Sequence, residues 1–187
     1  VTHTEPAGTR DKERTRRAIL AAAKQMFSEH GSKASLAAVA KAAGVTQSGL
    51  RHHFPTREAL LYSVVEHSIE RMWAEIHSHV DLRENEPGKF LRGYIRALTG
   101  DSDTFADILD PTALSAALGH PAGIEDLCRR DAERWNAALA ADGLPWARVL
   151  VIQHAAEGLA VARSTPYLTT EDLDLARAEL LTMTGQM

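Results

Sequence analysis

Cysteine occurs once in the 187-residue chain, at Cys128. That excludes an intrachain disulfide framework and fits a reducing compartment. A single thiol amid helical sequence is ordinarily inert. Aromatic residues make up only 5% of the chain, so strands, which favour them, have little to draw on. Long apolar runs are missing as well. The most apolar stretch, Val149 to Ala162, is broken by Gln153, His154 and Glu157, and a bilayer span needs roughly 18 to 20 such residues. The opening VTHTEPAGTRDKERTRR carries no apolar segment after its charges, which argues against a secretory signal. A cytoplasmic protein with no membrane partner is the expectation.

Catalytic and metal-binding patterns are also lacking. His77 and His79 stand two apart, about 200° around a helix, and cannot clasp one ion. His52 and His53 are adjacent and diverge too. There is no zinc spacing, phosphate-cradling glycine loop, nucleophile elbow or pair of catalytic carboxylates. No metal, no cofactor and no enzymatic activity are expected.

What is present is helix-forming. The chain is 44% hydrophobic and 25% charged, rich in Ala and Leu, and able to bury a sizeable core. Its net charge of −4 conceals a split. Residues 1–57 hold ten Lys/Arg against four Asp/Glu, and residues 58–187 hold eleven against twenty-one. A basic head on an acidic body points to a polyanion partner for the head alone.

Residues 1–9 lack periodicity and read as a flexible arm. From about Arg10 to His30, Ile19, Leu20, Ala23, Met26 and Phe27 recur at helical spacing, and Gly31 ends that helix. Ser35 suits the N-cap of a short helix, Leu36 to Ala42, and Thr46 that of a second, Gln47 to His53. Thr56 starts a long helix striped by Leu61, Val65, Ile69, Met72, Ile76 and Val80, with Trp73 beside them. Further starts are expected at Pro87, Ser102, Pro111 and Pro121, with stops at Gly100 and Gly119. Asp142-Gly143 closes a helix, Pro145 to Arg163 forms the next, and Thr169 or Thr170 caps the last. The expectation is an all-α chain of about nine helices. Residues 10–57 form a helix-turn-helix head of three helices, and 58–187 a larger helical body.

The informative segment is LAAVAKAAGVTQSGLRHHF, Leu36 to Phe54. Two short helices that cross closely need small residues on the inner face, and Ala40 and Ala43 supply them. The turn needs a residue that tolerates positive φ, which Gly44 does. Val39, Val45 and Leu50 lock the crossing. Thr46, Gln47, Ser48, Arg51 and His52 are left outward, sized to reach base edges or phosphates in a major groove. Gly49 is a poor helix former whose bare backbone permits close approach to DNA.

Residues 14–62 carry a helix ILAAAKQMF ending at Gly31, then VAKAAGVTQSGLRHHFP, then Arg57 before EALL. This stretch resembles the DNA-binding head of TetR-family transcriptional regulators. The resemblance implies an all-helical homodimer with a variable ligand-binding and dimerisation body. It implies base contacts from Gln47 and Ser48, and phosphate contacts from Ser35, Thr46, His52 and Arg57, with Lys33 and Lys41 as further candidates. Arg51 stands where the family commonly has Tyr, so it suits either a base or a phosphate. Ser32 stands where an aromatic often follows the glycine. Arg10, Lys12, Arg14, Arg16 and Arg17 add nonspecific attraction or enter a minor groove.

In the body, Ala155, Gly158, Leu159 and Ala162 let backbones approach, and Leu173 and Leu180 add apolar area. Together they are the candidate dimer surface, a four-helix seam with the two-fold mate. Trp73, His77, Phe90, Tyr94, Phe105, Leu109, Leu114, Trp135 and His154 are candidates to line a ligand pocket. The function these residues imply is a repressor released from operator DNA by a small-molecule effector. A ligand-independent dimeric DNA-binding protein and a helical enzyme with a DNA-binding head are the alternatives.

Overall fold

The computed structural model describes residues 7–100 and 123–185, the side chains of 7–10 and 32 excepted. Those residues form eight α-helices and one 3-10 turn, with no strand among them. The helix starts expected at Ser102, Pro111 and Pro121 and the stop at Gly119 lie outside the described residues. So do Phe105, Leu109 and Leu114, and residues 1–6 of the expected arm. The chain divides into two compact units. Among the described residues, one comprises 7–69 with 123–128 and the other 70–100 with 129–185.

The first unit opens with α1, Ala7–His30, which starts three residues inside the stretch read as an arm. Ile19, Leu20, Ala23 and Phe27 are buried along one face, as their helical spacing requires. A 3-10 turn, Gly31–Lys33, leads to α2, Leu36–Ala42. The Ala38 N–H donates to Ser35 Oγ at 3.1 Å, the expected cap. Gly44 then turns the chain with φ of 67°, a left-handed conformation that a side chain resists. The next helix, α3, is Gln47–His53, capped by Thr46 Oγ1, which accepts from the Gly49 N–H at 3.0 Å. A Cβ at Gly49 would stand 3.2 Å from that capping hydroxyl oxygen. The glycine therefore has a local reason besides open space for DNA. The long helix α4, Arg57–Ser78, begins behind Thr56, whose Oγ1 accepts from the Ala59 N–H at 3.1 Å. Its stripe residues Leu61, Val65, Ile69 and Ile76 are all buried.

The second unit is built around α5, Lys89–Thr99, with Leu91, Arg92, Gly93, Tyr94, Ile95, Ala97, Leu98 and Thr99 all buried. The remaining helices are α6 (Ile124–Ala141), α7 (Trp146–Ala162) and α8 (Thr170–Met183). The three helices α5, α7 and α8 pack against one another. Their shared core includes Leu91, Ile95, Leu98, Val149, Ile152, Ala156 and Leu180.

A helix so enclosed cannot leave its end groups to water. Pro87 does not start α5, contrary to expectation. Gly88 precedes it with φ of 85°, and a Cβ there would meet Arg92 Nη1 at 2.8 Å and the Thr184 carbonyl oxygen at 2.9 Å. The first N–H groups are satisfied from a distance instead. Phe90 and Leu91 donate to the two carboxylate oxygens of Asp142 at 2.7 and 2.9 Å. At the other end, Arg163 donates to the Gly100 carbonyl at 2.8 Å, and Arg177 Nη2 donates to that of Thr99. An anion at the N-terminus and cations at the C-terminus both suit the helix dipole.

Asp142→Ala should therefore lower the stability of this unit by about 2 kcal/mol, the upper range for a lost cap. Asp142→Asn should recover part of the loss, because its amide oxygen still accepts. Urea unfolding checks both; an unchanged midpoint for Asp142→Ala would remove the cap's importance.

Candidate nucleic-acid interface and body site

In the first unit, Val39, Ala40 and Leu50 are buried and Val45 and Ala43 are half-buried. Leu50 is the inward anchor of α3. Because α3 has only one buried side, the rest of it faces out. Thr46, Gln47, Ser48, Arg51 and His52 are all exposed, as are Lys33, Ser35 and Lys41 nearby in sequence. The chemistry of this row is hydrogen bonding plus positive charge, with no carboxylate on α3.

Arg57 is placed differently from the other candidate contacts. It is half-buried; its Nη1 donates to the Ala34 carbonyl, and its guanidinium lies 5.0 Å from the centre of the Phe27 ring. It braces α1 against the approach to α2. Arg16, a candidate for nonspecific attraction or a minor groove, lies on α1 and is also held by protein groups. It lies 4.6 Å from the Phe54 ring centre and its Nη2 donates to Ser63 Oγ at 3.3 Å. Arg14 pairs with Asp11 at 3.0 Å, while Lys12 and Arg17 are exposed. His53 is held below its ordinary value of 6.5. Partial burial is the largest cause, followed by the charges of His52, Lys12 and Arg16, with Glu13 opposing them. That shift registers burial first and neighbouring positive charge second.

In the second unit, five of the nine candidate pocket residues converge. Trp73 is buried on α4, Phe90 and Tyr94 lie on α5, Trp135 on α6, and His77 is exposed at the edge. Trp73 stands 5.5 Å from Trp135 and 5.7 Å from both Phe90 and His77. Phe90 is 5.5 Å and Tyr94 4.8 Å from Trp135, ring centre to ring centre. His154 is exposed and joins only through Glu157, whose Oε2 lies 2.9 Å from its Nδ1.

Polar residues that sequence reasoning missed complete the site. Trp73 Nε1 donates to Asp131 at 2.7 Å. Tyr94 Oη donates to Glu157 Oε1 at 2.9 Å, and Gln153 Nε2 donates to the same oxygen at 3.0 Å. Burial, then the charge and hydrogen bond of Glu157, push the Tyr94 hydroxyl far above its ordinary range, so it stays a donor. Arg134 covers Trp73 at 4.0 Å and pairs with Glu70 at 3.0 Å. Asp131 and Glu157 thus serve as hydrogen-bond acceptors for two members of the aromatic cluster. Among the described residues no cluster suits a metal ion, and no helix is long and apolar enough to cross a membrane.

The candidate dimer surface needs correction. Leu173 and Leu180 are buried in this chain's own fold, because α8 packs them inward. Ala155 and Leu159 rest partly against the same core, and Ala162 is half-buried. Gly158 is exposed, and a Cβ there would meet nothing within 4 Å. The large apolar side chains left outside on these helices are Trp146, Leu150, Val151 and Val161 on α7 and Leu175 on α8, the last two 73% and 71% exposed.

Comparison with known proteins identifies both parts of the chain. Residues 19–64 match the family of bacterial regulatory proteins named tetR, and residues 88–185 match the tetracyclin repressor-like C-terminal domain. The chain is 35% identical over 68 residues to the HTH-type transcriptional regulator UidR of Escherichia coli, a stretch spanning 36% of this chain and 35% of that relative. The fold is similar to a transcriptional regulator from Rhodococcus sp. Rha1, with a TM-score of 0.68 and 24% identity over 90% of this chain and 95% of that one. It is also similar to the TetR-like regulator LfrR of Mycobacterium smegmatis in complex with proflavine. There the TM-score is 0.56 and the identity 23%, over 93% of this chain and 99% of that one.

Two predictions follow from the placement of charge. Arg57→Ala should lower the stability of the first unit by about 1–3 kcal/mol, through a lost charged hydrogen bond and ring contact, whereas Arg51→Ala should leave thermal melting unchanged. Equal melting of the two variants would contradict the brace. For His53, the neutral ring is the form the folded state favours. The unfolded chain binds the extra proton first as pH falls through 6.5, so stability present above that pH is lost on acidification. Melting between pH 7.5 and 5.5 should show a shallower decline in His53→Gln than in the parent.

Proposed function

The chain belongs to the TetR family of bacterial regulatory proteins, and from that premise we propose that it is a homodimeric repressor that leaves operator DNA when a small molecule binds its body. The observation that carries this reading is the outward row on α3: Thr46, Gln47, Ser48, Arg51 and His52, fixed in direction by buried Leu50. A helix bearing such a row fits the major groove, where Gln and Arg side chains discriminate base edges. Gln47 and Ser48, early on α3, read bases. Ser35, Thr46, His52, Lys33 and Lys41 hold phosphates, and Arg51 serves either. Arg57 supports them from behind, through Ala34.

Dimerisation uses the exposed apolar strip Leu150, Val151, Gly158, Val161 and Leu175, with Ala155 and Ala162 at its margin. Apolar residues so exposed on two neighbouring helices ask for a covering surface, and a two-fold copy supplies it.

Signal transfer rests on α4. That helix carries Arg57 near its start and Trp73 of the aromatic cluster near its end. A ligand that moves Trp73 acts on α4 directly. A 100-fold release from DNA needs about 2.7 kcal/mol of difference in ligand affinity between the two states.

Footprinting with genomic DNA, then titration of the protected duplex at fixed salt, tests the reading. Gln47→Ala or Arg51→Ala should weaken specific binding roughly tenfold or more, since a good base contact contributes about 1–3 kcal/mol of discrimination. Folding should be unaffected. Unaltered binding by both variants, or no protected sequence at all, would sink the proposal.

A further inference from the structure

We propose that the body takes a flat, uncharged aromatic molecule bearing a hydrogen-bond acceptor, and that the Trp135 indole N–H is the group that selects it. The proposal rests on the ligand-responsive reading above and names the chemistry of that same site. Trp135 is the ring around which the cluster is arranged. Tyr94, Phe90 and Trp73 stand 4.8, 5.5 and 5.5 Å from it, all three edge-on. Its Nε1 is buried and has no hydrogen-bond partner among the described residues.

The neighbouring polar groups are not in that position. The other indole of the cluster, Trp73, donates to Asp131. The Tyr94 hydroxyl donates to Glu157, which also takes Gln153 and lies beside His154. Arg134 is held between the Trp73 face and Glu70. What is lacking among the described residues is an acceptor for Trp135. An indole nitrogen can only donate, and a buried donor left unpaired loses its water without return. A cation without a lone pair gains nothing from that N–H, whereas a neutral acceptor atom does. An acceptor atom aimed at Trp135 breaks no hydrogen bond seen among the described residues.

Shape follows from the same rings. Aromatic side chains favour offset or edge contacts with another flat ring. Trp135 and Phe90 are half-buried and His77 is exposed, so the cluster is not sealed. A ring nitrogen or a ring carbonyl on a bicyclic frame meets both requirements.

Quinoline and naphthalene have the same frame and differ in one acceptor nitrogen, and quinoline is uncharged at pH 7.5. Calorimetric titration of the full chain with each, and with N-methylquinolinium, tests the proposal. Quinoline should bind at least tenfold more tightly than naphthalene and more tightly than the methylated cation. Trp135→Phe keeps a ring and removes the N–H; it should erase the preference for quinoline while leaving naphthalene within about twofold. Equal affinities in the parent protein, binding of neither compound, preference for the cation, or an undiminished preference in Trp135→Phe would each overturn it. The parent comparison stands even if the variant does not fold. Duplex binding without any added compound separates the two readings. Its absence overturns the regulator, whereas its presence with equal affinities overturns only the role of Trp135.

Discussion

The enclosure of α5 constrains the second unit more than any other feature. A helix with eight of its residues buried must find protein partners for end groups that water would otherwise satisfy. Asp142 at the end of α6, Arg163 after α7 and Arg177 on α8 are those partners. Each neighbouring helix is thus tied to a particular end of α5, which fixes direction as well as contact. Arg92 adds a fourth tie. It is buried, pairs with Glu84, and donates to Thr184 Oγ1 at 3.1 Å and to its carbonyl at 2.9 Å. Such a buried charge is tolerated because it is bonded on several sides. The consequence for the site is register. With α5 held at both ends, Phe90 and Tyr94 present their rings to Trp135 at set positions, and Tyr94 reaches Glu157.

The first unit solves a smaller problem with local means, and for that reason it was legible. Ser35, Thr46 and Thr56 each accept from a backbone N–H three residues on. Gly44 is needed by the chain's own turn. The inward Leu50 and the outward Gln47, Ser48 and Arg51 follow from helical spacing alone. Information of that range is contained in a few consecutive residues. Arg57 was not legible in the same way, because its partners are Ala34, 23 residues away, and the face of Phe27. A basic residue at a helix start looks like a phosphate contact unless the ring beneath it is known.

The body shows where pattern stops. Its aromatic residues were recognisable as a set, yet the acids that orient them were not. Trp73 and Asp131 are 58 residues apart, and Tyr94 and Glu157 are 63 apart. Neither separation follows from a period. The last helix illustrates a different limit. Leu173, Leu175, Leu180 and Leu181 surround α8, so its spacing does not say which leucine faces the chain's own core. Packing against α5 and α7 takes Leu173 and Leu180 inward and leaves Leu175 out. The outer strip on α7 and α8 is correspondingly shorter than its leucine content implies.

The two proposed tasks of the body, pairing and sensing, make different demands on packing. A pairing surface needs apolar groups outside, and Val151, Val161 and Leu175 meet that need without any help from the aromatic cluster. A body built for pairing alone gains nothing from three rings gathered around a donor that has no partner among the described residues. A steric reason for the gathering is weak too, since aliphatic side chains fill cores without polar atoms to satisfy. The unpaired Trp135 N–H is therefore better understood as one half of an interaction whose other half is brought from outside. Trp73 stands in the same cluster and on α4, so the proposed ligand would touch that helix directly.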